Sequence, residues 1–285
     1  MAASSTELSR HAIDQVLAVA FEEDLGSGDL TTSACIKDPI FVSAKLCVRD
    51  AGIIAGLHVF SAALCFLDDT VDVELVHSDG SIVWPGDIVA LVRGQASSIL
   101  SAERVALNLL QRMSGIATAT AQFVGAIAGT SSRILDTRKT VPGLRAMDKY
   151  SVVMGGGFNH RLGLFDAVLI KDNHIRAAGS LDKAVNRARQ EISTDQLRFQ
   201  VECDTLEQVD QCLALGVTWV LLDNMPTSML HEAVVRVQGR AKLEASGGVT
   251  LANVGEIAAT GVDYISIGSL THSVIALDVG LDFDY

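Results

Sequence analysis

In the second half of the chain, polar residues recur at one kind of place, directly after a short apolar run. Arg138-Lys139 follows Ile134–Thr137, and Lys171-Asp172 follows Ala167–Ile170. Glu202 and Asp204 follow Phe199–Val201, and Asp223-Asn224 follows Trp219–Leu222. Ser246-Gly247-Gly248 follows Leu243–Ala245, and Gly268-Ser269 follows Tyr264–Ile267. One polar residue at such a place needs no function, because every apolar run must end in water. Six in order, first cationic, then acidic, then rich in serine and glycine, suit a ligand with several differently charged parts.

Each group implies its own chemistry. Arginine grips a carboxylate with two parallel hydrogen bonds, and lysine acts as a compact point charge. Arg138, Lys139 and Lys171, with His160 and Arg161 from the tip that follows Gly155-Gly156-Gly157, could together hold several acidic groups. His160 or His174 alone reads more simply as structural. Glu202 and Asp223 could accept hydrogen bonds from sugar hydroxyls. They could also hold magnesium, directly or through water, since Mg2+ keeps several waters and takes one or two carboxylates with phosphate oxygens. A salt bridge to Lys171 or Arg138 is the plainer alternative for both acids. Ser246, Gly247, Gly248 and Gly268 could expose backbone N–H groups to a phosphate at helix starts. Glycine suits that place because no Cβ blocks the anion. Asp204 reads as the cap of the helix after it.

Parallel strands are the elements that would bring such residues together, since their carboxyl ends share one edge. From Arg133 onward the six apolar runs alternate with helical stretches: Leu144–Met154, Leu181–Glu191, Leu206–Leu215, Ser228–Gln238 and Leu251–Thr260. That alternation predicts a parallel α/β sheet. Six strands are fewer than the eight of a closed barrel, which leaves an open or irregular barrel, or a doubly wound sheet. The first part reads as mixed α and β, with helices at His11–Asp24 and Val59–Phe66 and strands at Ser43–Arg49, Val71–Val76 and Ile88–Arg93. Two apolar helices are expected between the parts, one capped by Ser101 and a second over Thr118–Ala128, after Ser114-Gly115. The expected division is an N-terminal domain over 1–112 and a barrel over 113–270, with 271–285 packing with the first.

The net charge of −12 disfavours nucleic acid and anionic lipid, which require a basic surface. Between Arg104 and Arg176, however, ten Lys/Arg face four acids, so that stretch carries +6 and the remainder −18. A cationic cleft in an acidic body fits a small, multiply charged anion. Five cysteines with no C-x-x-C pair argue against a disulfide framework or zinc site, and fit the reducing cytoplasm. No apolar stretch reaches the length of a membrane span, and disorder is expected only at Met1 to Thr6.

Several motifs together resemble the quinolinate phosphoribosyltransferase family. They are Asp136-Thr137-Arg138-Lys139-Thr140 with Pro142-Gly143-Leu144-Arg145, Gly155-Gly156-Gly157 through Asn159-His160-Arg161, and Leu169-Ile170-Lys171-Asp172-Asn173-His174. Leu222-Asp223-Asn224 and Glu244-Ala245-Ser246-Gly247-Gly248 continue the match, and Gly28-Asp29-Leu30-Thr31-Thr32 and Glu103-Arg104 begin it. The resemblance implies an irregular open α/β barrel with an N-terminal α/β sandwich domain, in a homodimer or higher oligomer with shared active sites. It implies transfer of phosphoribosyl from phosphoribosyl pyrophosphate to quinolinate with decarboxylation, giving nicotinate mononucleotide in de novo NAD biosynthesis, with Mg2+ as cofactor. It further implies that Arg104 reaches the neighbouring subunit's site. Arg138, Lys139, His160, Arg161 and Lys171 would bind quinolinate and pyrophosphate. Glu202 and Asp223 would serve ribose and metal, and Ser246, Gly247, Gly248 and Gly268 the 5′-phosphate. Lys139, Lys171, Glu202 and Asp223 are the catalytic candidates.

Three rival readings remain at this level. A related phosphoribosyltransferase could use another acceptor, although the number of cations favours a dicarboxylate. Lys171 at a strand end could be the nucleophile of a Schiff-base aldolase. A non-catalytic descendant of a barrel enzyme would be expected to have lost site residues.

Overall fold

The computed structural model describes residues 8–192 and 197–284, so the disorder expected for Met1 to Thr6 lies outside the described residues. The described residues divide into two compact units, one within 8–121, 140–156 and 270–284, the other within 122–139 and 157–269.

In chain order, α1 (Arg10–Leu25), α2 (Leu30–Cys35), β1 (Phe41–Val48), β2 (Gly52–Ile53), α3 (Leu57–Leu67), β3 (Asp72–Leu75), β4 (Ile82–Val83) and β5 (Ile88–Gln95) belong to the first unit. The boundary at Ala121 falls inside α4 (Ala96–Ala126). In the second unit are β6 (Arg133–Leu135), β7 (Ala167–Ile170), α6 (Asp172–Ala178), α7 (Leu181–Glu191), β8 (Arg198–Cys203), α8 (Leu206–Ala214), β9 (Trp219–Asp223), α9 (Thr227–Val237), β10 (Lys242–Ser246), α10 (Val254–Ala259) and β11 (Tyr264–Ser266). Helix α5 (Arg145–Met154), which follows β6, returns to the first unit, and α11 (Ser269–His272) and β12 (Val279–Asp284) end the chain.

The first unit is built on an antiparallel sheet in the order β12-β1-β5-β3. Along β1, Val42, Ala44, Leu46 and Val48 are buried, the period-2 pattern of a sheet with one face on a core. That core takes Ile13, Leu17 and Phe21 from α1 and Leu57, Phe60 and Leu64 from α3, and Phe21 stacks on Phe66 with centroids 5.3 Å apart.

Where two helices were expected around Ser114-Gly115, α4 runs unbroken for 31 residues. The reason is packing. A Cβ on Gly115 would lie 2.2 Å from the Ile275 carbonyl oxygen, so this glycine permits a close approach rather than ending the helix. Ser114 Oγ accepts from the Ala55 N–H at 3.0 Å, and Thr118 Oγ1 donates back to the Ser114 carbonyl at 2.7 Å. Ser101 therefore lies within the helix instead of capping it, and its hydroxyl donates to Asp29, which itself caps α2.

In the second unit all six strands are parallel, in the order β6-β11-β10-β9-β8-β7. A doubly wound sheet grows outward on both sides of its first strand. Here β6 is at one edge and β7 at the other, and each later strand joins the next position in turn. That is the cyclic order of a barrel with no pairing between β6 and β7. The free edge of β6 is taken by the segment at Phe158, which bridges in parallel to Leu135, and the Phe158 N–H donates to the Ile134 carbonyl at 2.9 Å. The unit is an irregular open α/β barrel.

Candidate active site

Register explains why distant residues meet. Glu202 pairs with Leu221, Asp223 with Ser246, and Ser246 with Ser266. Residues two apart share a face of a strand, so Glu202, Asp223 and Ser246 project from the same face near the carboxyl ends of β8, β9 and β10. Ile170 pairs with Val201, which brings Lys171 level with Glu202. Lys171 Nζ donates to Glu202 Oε2 at 2.5 Å, and Glu202 is buried while Lys171 is exposed. The backbone N–H of Lys171 donates to His174 Nδ1 at 2.9 Å, which gives His174 a local, chain-fixing role. Burial pushes the Asp223 carboxyl up, Glu202 adds to that, and Lys171 and the Asn224 amide oppose it. A half-buried acid beside a second acid stands to gain from a cation.

The same unit also holds a cluster of guanidinium groups. Arg161 is buried and donates from Nη1 to the Ala167 carbonyl at 3.1 Å. Burial lowers its affinity for the proton, and the like charges of Arg138 and Arg198 lower it further against Asp166. Three arginines close enough to repel suit an anion. Lys139 is exposed and its N–H donates to Thr137 Oγ1 at 3.0 Å. Buried Asp136 accepts from the His160 N–H at 2.8 Å and so anchors the 158–161 segment beside β6.

The glycine turn after β10 is sterically specified. Gly247 has φ +96° and Gly248 has φ +61°, both left-handed. A Cβ on Gly247 would lie 2.0 Å from Asn224 Oδ1. Asn224, itself at φ +53°, donates its backbone N–H to the Ser246 carbonyl at 2.8 Å and its side-chain amide to Asp223 at 2.7 Å. The acidic end of β9 and the serine-glycine turn are thus one hydrogen-bonded piece. Gly268 stands just beyond β11, half-buried. Arg104 is exposed on α4, in the first unit. Asp204 does not cap α8. Thr205 does, accepting from the Gln208 N–H at 3.3 Å, while the Gln208 side chain accepts from the Asp204 N–H at 2.6 Å. The helix starts at Leu206, as expected, and the cap position is the residue directly before it, Thr205.

Below this layer is a buried polar network that the strand ends did not reveal. Glu244 is 1 % exposed, and its Oε2 accepts from Gln200 Nε2 at 2.8 Å and Trp219 Nε1 at 3.3 Å. Its Oε1 faces His160 Nε2 at 3.4 Å. Burial pushes the Glu244 carboxyl up, yet the hydrogen bonds from His160 and Gln200 and the charge of Arg198 outweigh it and hold the group below the usual carboxylate range. Arg198 lies over the Trp219 ring at 4.7 Å, and that ring stacks on Tyr264 with centroids 4.7 Å apart. The available signal was the alternation Arg198, Gln200, Glu202 along β8. Parallel strands are ordinarily apolar on both faces, which hides it.

Two family models cover most of the chain: the N-terminal domain of quinolinate phosphoribosyl transferase matches residues 29–114 and its C-terminal domain residues 116–282. The chain belongs to the quinolinate phosphoribosyltransferase family. Among relatives in the family, the nicotinate-nucleotide pyrophosphorylase [carboxylating] of Mycobacterium leprae is 45% identical over 272 residues, covering 92% of this chain and 94% of the relative. Quinolinate phosphoribosyltransferase [decarboxylating] 1 of Nicotiana glauca is 44% identical, with 94% and 81% covered. The crystal structure of NadC from Streptococcus pyogenes superposes with a TM-score of 0.93 at 38% identity, covering 99% of this chain and 100% of that one. The fold of the quinolinate phosphoribosyltransferase family is therefore shared from end to end.

Proposed function

We propose that this enzyme transfers the phosphoribosyl group of phosphoribosyl pyrophosphate to quinolinate and releases pyrophosphate and CO2, giving nicotinate mononucleotide in de novo NAD biosynthesis. One observation carries the reading. From β7 to β11 along the carboxyl edge of one parallel sheet stand Lys171, then Glu202 and Asp223, then Ser246-Gly247-Gly248 and Gly268, with Arg138-Lys139 following β6 at the far edge. Arg138, Lys139, Arg161 and Lys171 supply charge for the two carboxylates and the pyrophosphate. Glu202 and Asp223 would accept hydrogen bonds from the ribose hydroxyls. Ser246, Gly247, Gly248 and Gly268 offer backbone N–H groups to the 5′-phosphate.

The pyridine nitrogen attacks ribose C1 as the C1–O bond to pyrophosphate breaks, the electron pair leaving with pyrophosphate. The bond from ring C2 to its carboxylate then breaks, CO2 departs, and a proton takes the electron pair at C2. The protein contributes positioning and electrostatic stabilisation, and no side chain need become a covalent nucleophile. Lys171 already donates to Glu202, an arrangement that supports a role in charge balance over one as an aldolase nucleophile.

Among the described residues, no group of three or more His, Cys, Asp or Glu is arranged to hold a metal. Glu202 and Asp223 alone suit Mg2+, which completes its shell with water and substrate phosphate oxygens. Bound there, Mg2+ would neutralise phosphate charge. The shared-site homodimer, with Arg104 acting on the partner's site, belongs to the same proposal, as does a cytoplasmic setting. Among the described residues no helix is long and apolar enough to cross a membrane.

The test is turnover of quinolinate and of nicotinate with phosphoribosyl pyrophosphate, with and without Mg2+. Nicotinate mononucleotide and CO2 are expected from quinolinate alone, and only with the metal. Equal turnover of nicotinate would defeat the assignment of acceptor.

A further inference from the structure

His160 Nδ1 receives two hydrogen bonds, from the Arg161 backbone N–H at 2.8 Å and from Arg198 Nη2 at 3.1 Å. Neither partner can accept a proton, because an amide N–H and a guanidinium only donate. Nδ1 must then carry a lone pair, and the ring proton sits on Nε2. That nitrogen faces Glu244 Oε1 at 3.4 Å, while Gln200 and Trp219 occupy the other oxygen of the same carboxylate. Both ring nitrogens are thus directed at protein groups, inside a network whose members Glu244 and Gln200 are almost fully buried. The ring is also tied to the backbone that carries Arg161, whose guanidinium is held in turn by the Ala167 carbonyl at the start of β7.

We propose that Arg198 and Glu244 are positioning residues for the acceptor site: they lock His160 as the Nε2–H tautomer, and His160 acts on the dicarboxylate through the placement of Arg161 rather than through its own ring nitrogens. The inference rests on the assignment of quinolinate to the arginine cluster. Arg198 fits the role on two further counts. Its guanidinium lies over the Trp219 ring, which restricts where its donors can turn, and its charge adds to those of Arg138 and Arg161. A ligand that brings negative charge to Arg161 relieves the repulsion among all three.

Two measurements test this. The first needs no substrate turnover: 15N NMR of the histidine rings in the whole enzyme, with the His160 signals assigned by their loss in His160→Asn. The expected pattern is an unprotonated Nδ1 and a protonated Nε2, unchanged when quinolinate is added. An imidazolium, an Nδ1–H tautomer, or a change of state on adding quinolinate would overturn the proposal. The second is steady-state kinetics of Arg198→Met, a partly exposed position. The KM for quinolinate should rise about tenfold, the loss of one charged hydrogen bond, while the KM for phosphoribosyl pyrophosphate holds, and Arg198→Lys should recover most of the loss. Unchanged quinolinate KM in Arg198→Met, or equal loss toward both substrates, would count against it. If the enzyme proved to use another acceptor, the kinetic arm would be read with that acceptor and the tautomer would still decide the role of His160.

Discussion

Lys171 and Glu202 form a pair with unequal surroundings, one exposed and one buried. Lys171→Ala should leave a buried carboxylate without its cation and strip the acceptor site of a charge. Activity is expected to fall by about 100-fold or more, with the circular dichroism spectrum preserved. Retained activity would show that the pair lies outside the reaction. Glu244 gives a prediction about pH. Its folded carboxyl is held below the usual value of 4.5, so its stabilising effect is complete above pH 4.5 and fades as pH falls below it. Glu244→Gln should therefore cost about 2 kcal/mol near neutrality, and the gap to the parent should narrow on acidification below pH 4.5. Urea titrations at several pH values would show it, and a gap independent of pH would refute it. Lys171, Glu202 and Asp223 were legible in the sequence because they stand where apolar runs end. Glu244 and Arg198 were not, because charged residues within a buried parallel strand become intelligible only once His160 and Trp219 are seen beside them.

Among the elements, the turn after β10 is the most exacting. Gly247→Ala would place a methyl group 2.0 Å from Asn224 Oδ1 at a backbone angle that L-residues resist. Adding side-chain strain of about 1–2 kcal/mol to a displaced N–H should raise the KM for phosphoribosyl pyrophosphate at least about tenfold and leave that for quinolinate nearly unchanged. Measured KM values for both substrates decide this, and an unaltered phosphoribosyl pyrophosphate KM would remove the phosphate from that turn. Helix α7 was read correctly to the residue, since Ser180 caps it locally and its apolar stripe Leu181, Ala184 and Val185 is regular. Helix α4 was split wrongly, since what keeps Gly115 helical is the Ile275 carbonyl, 160 positions along the chain. Local signals succeed where a helix is fixed by its own ends, and fail where a remote segment decides.

For the whole molecule, six parallel strands with polar carboxyl ends could be anticipated from the apolar runs and their spacing, which left barrel and doubly wound sheet open, and the choice of the irregular open barrel came from the family resemblance. The closing strand β12 could not be anticipated, because its partner β1 lies more than 200 residues earlier. The shared-site dimer makes a molecular-scale prediction. Mixing Arg104→Ala with Lys171→Ala protein and allowing subunits to exchange should restore activity to about one quarter of the parent, as half of the subunits pair as hybrids and each hybrid has one intact site. That fraction assumes statistical pairing, and activity is measured after exchange is shown by a mass-tagged subunit. No recovery after proven exchange would place Arg104 outside the partner's site. The chain passes four times between the two units, at Ala121, Lys139, Gly156 and Ser269. No single cut yields two whole pieces: severing at 121 strands α5 and β12 with the barrel, and severing at 269 frees only the tail. A gene fusion that borrowed the barrel alone would need several junctions at once, so the two halves are expected to travel through evolution as one inseparable cassette.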